Sequence, residues 1–341
     1  MAKITLKDIS KALNLSTSTI SKVLSNSYEI SDSTKKIVND YVKEHNYQPN
    51  RLAKSLKSGK TNIIGVIACS INNTFFSQVF EGIQQAALEN NYEIIVMQSL
   101  ENETIERKAL ESMISRGVDG ILIAPVSEKS NLDFLKSIHE NNCPLVLFDR
   151  ISSELNTHKV GSNDFYGSYN ATKKLIEINR KKIIFISGSN FSEDHQRILG
   201  YKKALKDYNI PFNKEFILHC DLDKTDKMDE QIKDGILSYL NKKIIPNAIV
   251  GATDVITTRT LGILAELNIK IPHQFAVIGF SNTEIAFALN PSLSTIRQPA
   301  HKIGFLALSK MVELIDTKEI QKEFETILLD TTIHLRNSTK C

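Results

Sequence analysis

The sequence predicts an N-terminal all-α helix-turn-helix head followed by an α/β core of two doubly wound parallel-sheet subdomains. Three observations lead there. Two short apolar stripes with an abrupt break lie between residues 9 and 24, and a basic excess is confined to the first sixty residues. From residue 62, β-rich runs alternate with amphipathic stretches in a pattern that restarts near residue 181.

In the head, Ile9, Ala12 and Leu13 form one stripe at helical intervals and Ile20, Val23 and Leu24 a second, after a gap too short for a loop. Helices joined so tightly cross at a steep angle. Ser16 and Thr17 are N-cap types, so the second helix starts there and presents Thr17, Ser18, Ser21 and Lys22 outward, with Thr19 beside them. Short hydroxyls and one cation suit a major groove. Residues 1–60 hold eleven Lys or Arg against five Asp or Glu, a net of +6, whereas the chain is +3 overall, leaving about −3 for the rest. Such a concentration suits phosphate neutralisation on DNA. A three-helix cap with a solvated basic face fits the spacing equally well.

The stretch from Ile4-Thr5-Leu6-Lys7-Asp8-Ile9-Ser10 through Ser31-Asp32-Ser33-Thr34 to Asn46-Tyr47-Gln48-Pro49-Asn50-Arg51-Leu52 and Ala53-Lys54-Ser55-Leu56 resembles the lactose-repressor family of bacterial transcription regulators. The resemblance implies double-stranded operator DNA as a partner, met through Thr5, Thr17, Ser18, Thr19, Ser21, Lys22, Ser31, Thr34, Asn50, Leu56 and Lys57. Residues 1–49 are then the head and 50–61 a hinge helix with its linker. About two turns long, such a helix is marginal alone and is expected to fold when a partner holds it. In the family a leucine matching Leu56 wedges between base steps and kinks the duplex. The alternative is a linker leucine packed on the core.

In the core, the apolar runs Ile63–Ile67, Glu93–Met97, Gly120–Ile123 and Leu145–Phe148 precede a second series at Lys181–Ile186, Phe216–Leu218, Ala248–Val250 and Phe275–Ile278. Near-continuous apolar strands separated by helices indicate parallel sheets covered on both faces. The architecture resembles the periplasmic sugar-binding fold. The resemblance implies three crossings between a head-proximal subdomain, residues 62–161 with 292–322, and a distal one, residues 162–291 with 323–341. The ending, Ile327-Leu328 to Arg336-Asn337-Ser338-Thr339, also resembles the family's and is followed by no leucine heptad, so a homodimer is expected.

Ligands of open parallel sheets gather beyond the carboxyl ends of the strands. Those loops begin near Ser70, Ser99, Pro125, Asp149, Ser187, Asp221, Asp254 and Ser281. Asp and Arg together satisfy both lone pairs and protons of hydroxyl groups. The resemblance selects Phe75, Phe76, Asp149, Arg150, Arg197, Asp254 and Gln298, and the strand-end loops add Pro125 and Ser281, as contacts for a small polyhydroxylated effector, a sugar or sugar acid. For each charged residue a loop salt bridge or helix cap is the competing role, and core packing is the expectation for one of the two phenylalanines. Three positions depart from the family. Its Gly-Tyr/Phe-Asp loop is Gly279-Phe280-Ser281, the Asn before Asp254 is Thr253, and the Pro of its Asn-Pro-Phe-Phe is Thr74. Losing a carboxylate at 281 while keeping Arg197 raises the acidic-ligand alternative.

No apolar run precedes the first helix and none approaches the roughly eighteen residues a membrane span needs, so a cytoplasmic protein is expected. Cys69, Cys143, Cys220 and Cys341 show no paired or CxxC spacing, which suits free thiols and no metal or other cofactor. The competing class is an α/β enzyme acting on a sugar with an accessory helical head. Against it, the chain has no Gly-x-Ser-x-Gly elbow or Walker loop, and His139, His195 and His219 stand isolated. The expected function is a DNA-binding regulator, a repressor in the commonest family outcome, gated by its effector and not an enzyme.

Overall fold

A computed structural model describes residues 4–47, 59–141, 143–222, 225–240, 245–317 and 323–340. The chain divides into two compact units, residues 1–61 and 62–341. The predicted hinge residues Asn50, Leu56 and Lys57 lie outside the described residues.

The first unit holds α1 (Leu6–Leu13), α2 (Thr17–Leu24) and α3 (Asp32–Glu44). Asn14 ends α1 in the left-handed region, φ 51°, which Asn tolerates better than other side chains, and α2 resumes three residues later. Ile9, Ile20, Val23 and Val38 form the buried centre, with Leu6, Leu13, Leu15 and Tyr41 packed around it. Ala12, expected in the stripe, is exposed; Leu6, one turn before Ile9, takes its place.

The second unit contains two six-stranded sheets. The first has the order β11-β5-β4-β3-β1-β2, all pairs parallel. Its strands are β1 (Ile63–Ala68), β2 (Glu93–Gln98), β3 (Gly120–Ile123), β4 (Leu145–Phe148), β5 (His158–Ser162) and β11 (Thr326–Leu329). The second has the order β12-β10-β9-β8-β6-β7, parallel except that β12 runs antiparallel to β10. It is built from β6 (Ile183–Gly188), β7 (Ile217–Cys220), β8 (Ala248–Gly251), β9 (Ala276–Phe280), β10 (Ser294–Arg297) and β12 (Thr332–His334). Helices α4 (Thr74–Glu89), α5 (Glu103–Ser115), α6 (Leu132–Glu140) and α11 (Ala300–Asp316) belong to the first subdomain; α7 (Asp164–Glu177), α8 (Gln196–Asp207), α9 (Thr225–Leu240) and α10 (Asp254–Glu266) belong to the second. Each sheet has separate buried clusters on its two faces, as parallel sheets require.

The strand pairing corrects two expected boundaries. Residues 294–297, assigned to the first subdomain, pair with β9 in the second sheet; residues 326–329, assigned to the second, pair with β5 in the first. The chain therefore crosses at Asn163, at Gln298-Pro299 and at Asp330-Thr331. Asn163 donates its N–H to the Leu329 carbonyl at 2.7 Å, which fastens the first crossing to the third. Helices α4 and α11 meet through glycines. A Cβ on Gly82 would lie 1.9 Å from the His301 carbonyl oxygen, and one on Gly304 would lie 1.9 Å from that of Val79.

Candidate ligand cleft and candidate nucleic-acid interface

In the head, the Ser16 hydroxyl accepts the Thr19 N–H at 3.0 Å and starts α2 at Thr17, as the hydroxyl cluster predicts. Thr17, Ser18, Ser21 and Lys22 are exposed, and Thr19 is half-buried. The Ser18 and Thr19 hydroxyls lie 2.7 and 2.8 Å from that of Ser16, and Lys22 pairs with Glu29. Thr5 and Asp8 make a reciprocal capping box on α1, and Ser31 caps α3 through the Thr34 N–H at 3.4 Å. Two of the predicted DNA contacts, Thr5 and Ser31, thus have capping tasks of their own, and Thr34 gives the N–H that Ser31 caps. Helix N-termini built this way favour phosphate. Tyr28, in the turn after α2, is 92 % exposed.

In the second unit Arg197, 7 % exposed, sits in the first turn of α8. Its Nε donates to Asp164 at 2.8 Å, Nη1 donates to the Ala252 carbonyl, and its guanidinium lies 3.9 Å over the Phe280 ring. One side chain thereby ties together the ends of three strands, β5, β8 and β9. Gln298, at the second crossing, donates to Ser162 Oγ at 2.7 Å, and Asn282 clasps its backbone on both sides at 2.8 and 3.0 Å. The Asn282 side chain also donates to Gln78 of α4 at 2.8 Å, a direct link between subdomains.

Arg150 makes a bidentate pair with Glu101, at 2.7 and 2.6 Å, and donates to the Val126 carbonyl at 2.6 Å. Asp149 adopts φ 61° at the end of β4, a conformation costing about 1 kcal/mol or more for a non-glycine residue. Burial pushes its carboxyl up to about 6, against the pull of Arg197 and Arg150. Among the described residues it has no ion pair of its own. Burial also raises Asp254, offset in part by the Ser281 hydroxyl and the Asn282 N–H. His195 caps α8 and stacks on Phe191 with centroids 3.8 Å apart; burial and Arg197 hold it down to about 3, so the ring is neutral.

The structure brings Asp149, Arg150, Arg197 and Gln298 together: Asp149 feels both guanidiniums, and Arg197 and Gln298 share Asp164. Ser281 is 2 % exposed and donates to Asp254, so it positions that carboxylate instead of presenting its own hydroxyl. Phe75 and Phe76 are each 5 % exposed within the first core, Phe76 edge-on to Phe148 at 6.5 Å; core packing, expected for one ring, claims both. Pro125 is buried, its carbonyl 4.0 Å from the Cys69 sulfur. Sequence reasoning missed Asp164, Glu101, Asn282 and Gln78. Asp164 escaped because the strand before it has no apolar run; Glu101 lay within a recognised loop as one charged residue among several.

Residues 5–50 match the model for bacterial regulatory proteins of the lacI family, and residues 64–319 match that of the periplasmic binding protein domain. Over 335 residues, 98 % of both chains, the sequence is 32 % identical to the ribose operon repressor of Haemophilus influenzae. The chain belongs to the lacI family. Among solved structures, the lac repressor dimer bound to operator and an anti-inducer matches over all of both chains, TM-score 0.85 at 20 % identity, a likeness of fold. A LacI family regulator from Enterococcus faecium with bound ribose covers 81 % of this chain and 98 % of its own, TM-score 0.69 at 26 % identity. As a lacI-family member the chain is a DNA-binding transcription regulator with the expected fold class. The ribose operon repressor and the Enterococcus faecium protein are both regulators, which disfavours the sugar-acting enzyme. Among the described residues no helix is long and apolar enough to cross a membrane.

Proposed function

We propose that this regulator is a dimeric cytoplasmic repressor whose operator affinity is set by a neutral polyhydroxylated effector, of pentose size, bound between the two subdomains. The observation that carries the reading is the Arg197 node, which gathers three strand ends beside Asp149. Arg197 is already matched by Asp164 and Arg150 by Glu101, while Asp149 and Asp254 add two more carboxylates. That balance disfavours a sugar acid and suits hydroxyl groups, which donate to carboxylates and accept from amides. Ribose bound to one relative and named for another supports the size. The effector acts only through unequal affinity for two subdomain arrangements, and the Gln78–Asn282 and Glu101–Asn190 contacts join the subdomains in the arrangement seen. In a dimer the two heads read two half-sites.

Operator binding by fluorescence anisotropy, with the promoter DNA of its own gene and D-ribose as first probe, tests this. A tenfold or greater change in operator affinity is expected with sugar, and a loss of about 10³-fold or more between 50 and 200 mM salt. Operator binding indifferent to D-ribose and to a panel of other neutral sugars would overturn the effector reading.

Effector binding should also depend on pH. The Asp149 carboxyl is raised to about 6 in the folded protein. Its contribution to stability is therefore present below its unfolded value near 4 and is lost as pH rises through about 6. A ligand hydroxyl donating to the carboxylate favours the ionised form, so binding releases a proton. Affinity is expected to rise between pH 5 and 6.5 and then level off, and calorimetry in buffers of different ionisation heat checks the proton count.

A further inference from the structure

We propose that Glu101 is a built-in occupant of the effector cleft, whose carboxylate saturates Arg150, reaches the opposite subdomain through Asn190, and so restricts the cleft to neutral ligands. This rests on the cleft being the effector site.

Backbone geometry first singles out Glu101. Of the twelve described non-glycine residues with positive φ, nine are Asn, the residue that tolerates it best. The exceptions are Leu100, Glu101 and Asp149, at 51°, 55° and 61°, and all three lie beyond the carboxyl ends of strands in the first sheet. Two adjacent left-handed residues turn the loop after β2 so that Leu100, an apolar side chain, is 52 % exposed while the Glu101 side chain is 16 % exposed. An uncompensated arrangement would relax the other way. Backbone bonds from Ser99 to Ala68 and from Leu100 to Cys69, each 2.9 Å, hold the loop on one side. On the other, the Asn102 side chain caps α5.

The receiving side is equally fixed. Arg150 gives two donors to Glu101 and the Val126 carbonyl takes a third contact, while Glu106 Oε2 accepts the Val126 N–H at 2.6 Å. Asn190, in the loop after β6 of the second subdomain, donates to Glu101 Oε2 at 3.3 Å. A ligand carboxylate seeking the bidentate face of Arg150 must displace an intramolecular carboxylate already seated there, whose effective concentration no free anion matches. A neutral hydroxyl need not displace it, since it can donate to the remaining lone pairs of Glu101. Glu101 is thus a specificity-determining residue that also links the subdomains.

The test compares wild type, Glu101→Gln, Glu101→Asp and Asn190→Ala by calorimetry with D-ribose and D-ribonate, melting curves verifying that each folds. Glu101→Gln should bind ribonate at least tenfold more tightly than wild type, with a smaller change for D-ribose. Glu101→Asp keeps the charge, and Asn190→Ala removes only the span, so both should exclude ribonate as wild type does. Ribonate binding equal in wild type and Glu101→Gln, whether tight or undetectable, overturns the proposal. A gain for ribonate with no neutral sugar bound by any variant upholds Glu101's role while removing the proposed effector class.

Discussion

An Arg197→Met protein is expected to lose effector binding by 100-fold or more and to be destabilised by about 3 kcal/mol, the low end for removing one partner of a buried pair. Calorimetry and urea denaturation measure the two effects. The stability loss arises because Asp164, with only 15 % of its side chain exposed, is left beside a vacated site, and the Ala252 carbonyl loses its donor. Methionine fills much of the same volume, so cavity formation is a minor contributor. The two effects separate in a double variant. Adding Asp164→Asn removes the stranded charge while keeping an amide for Ser162 and Gln298, so stability should recover by 1 kcal/mol or more, by roughly the charge-desolvation cost, with binding still lost. Recovery of both would mean that Arg197 only buttresses Asp164. Retention of full affinity by the single variant would remove the guanidinium from the binding site.

A Gly304→Ala substitution should cost about 2 kcal/mol, within the range for overpacking a tight contact. The sign is informative because helix propensity alone favours alanine by about 1 kcal/mol. The new methyl would stand 1.9 Å from a backbone oxygen of α4, and neither helix can yield by rotating a side chain. The helices must move apart, and each bears on a link between the subdomains. Gln78 lies on α4, and α11 begins two residues beyond Gln298. Weaker effector binding should therefore accompany the lower urea midpoint. A variant more stable than wild type would show the contact to be looser than its geometry implies.

Eight of the twelve described strands were legible as apolar runs, six of them (β1, β3, β4, β6, β8 and β9) because a strand buried on both faces must be apolar along its length. Among the other four, β5 and β10 are buried without being apolar, and β11 and β12 are short and half-exposed. All five residues of β5 are buried, although His158-Lys159-Val160-Gly161-Ser162 holds one large aliphatic side chain; the Lys159 amine is satisfied by the Thr157 carbonyl at 3.1 Å and His158 Nδ1 accepts the Glu325 N–H at 3.0 Å. In β10 the Ser294 hydroxyl reaches Thr339 at 2.7 Å and its N–H reaches Ser338 at the same distance, a tertiary pairing that no local pattern announces. The site divides similarly. Asp149, Arg150 and Asp254 stand at strand ends where charge is conspicuous, whereas Asp164 follows an unrecognised strand and Glu101 points inward only because two residues adopt left-handed backbone. Ser281 was conspicuous as a missing acid, and the structure makes it the donor that orients Asp254.

The three crossings bear on how such regulators diversify. Each subdomain is assembled from stretches distant in the gene, so a recombination event with one breakpoint between Asn163 and Pro299 splits both. It joins β1 to β5 of one parent with α11 and β11 of another, and forces the Gly82–Gly304 contact to form between strangers. Exchanging one intact subdomain between relatives requires breakpoints at all three crossings. Point changes at strand ends, such as the departures at Thr253 and Ser281, are therefore a simpler route to altered sites in this architecture than the swapping of ready-made halves.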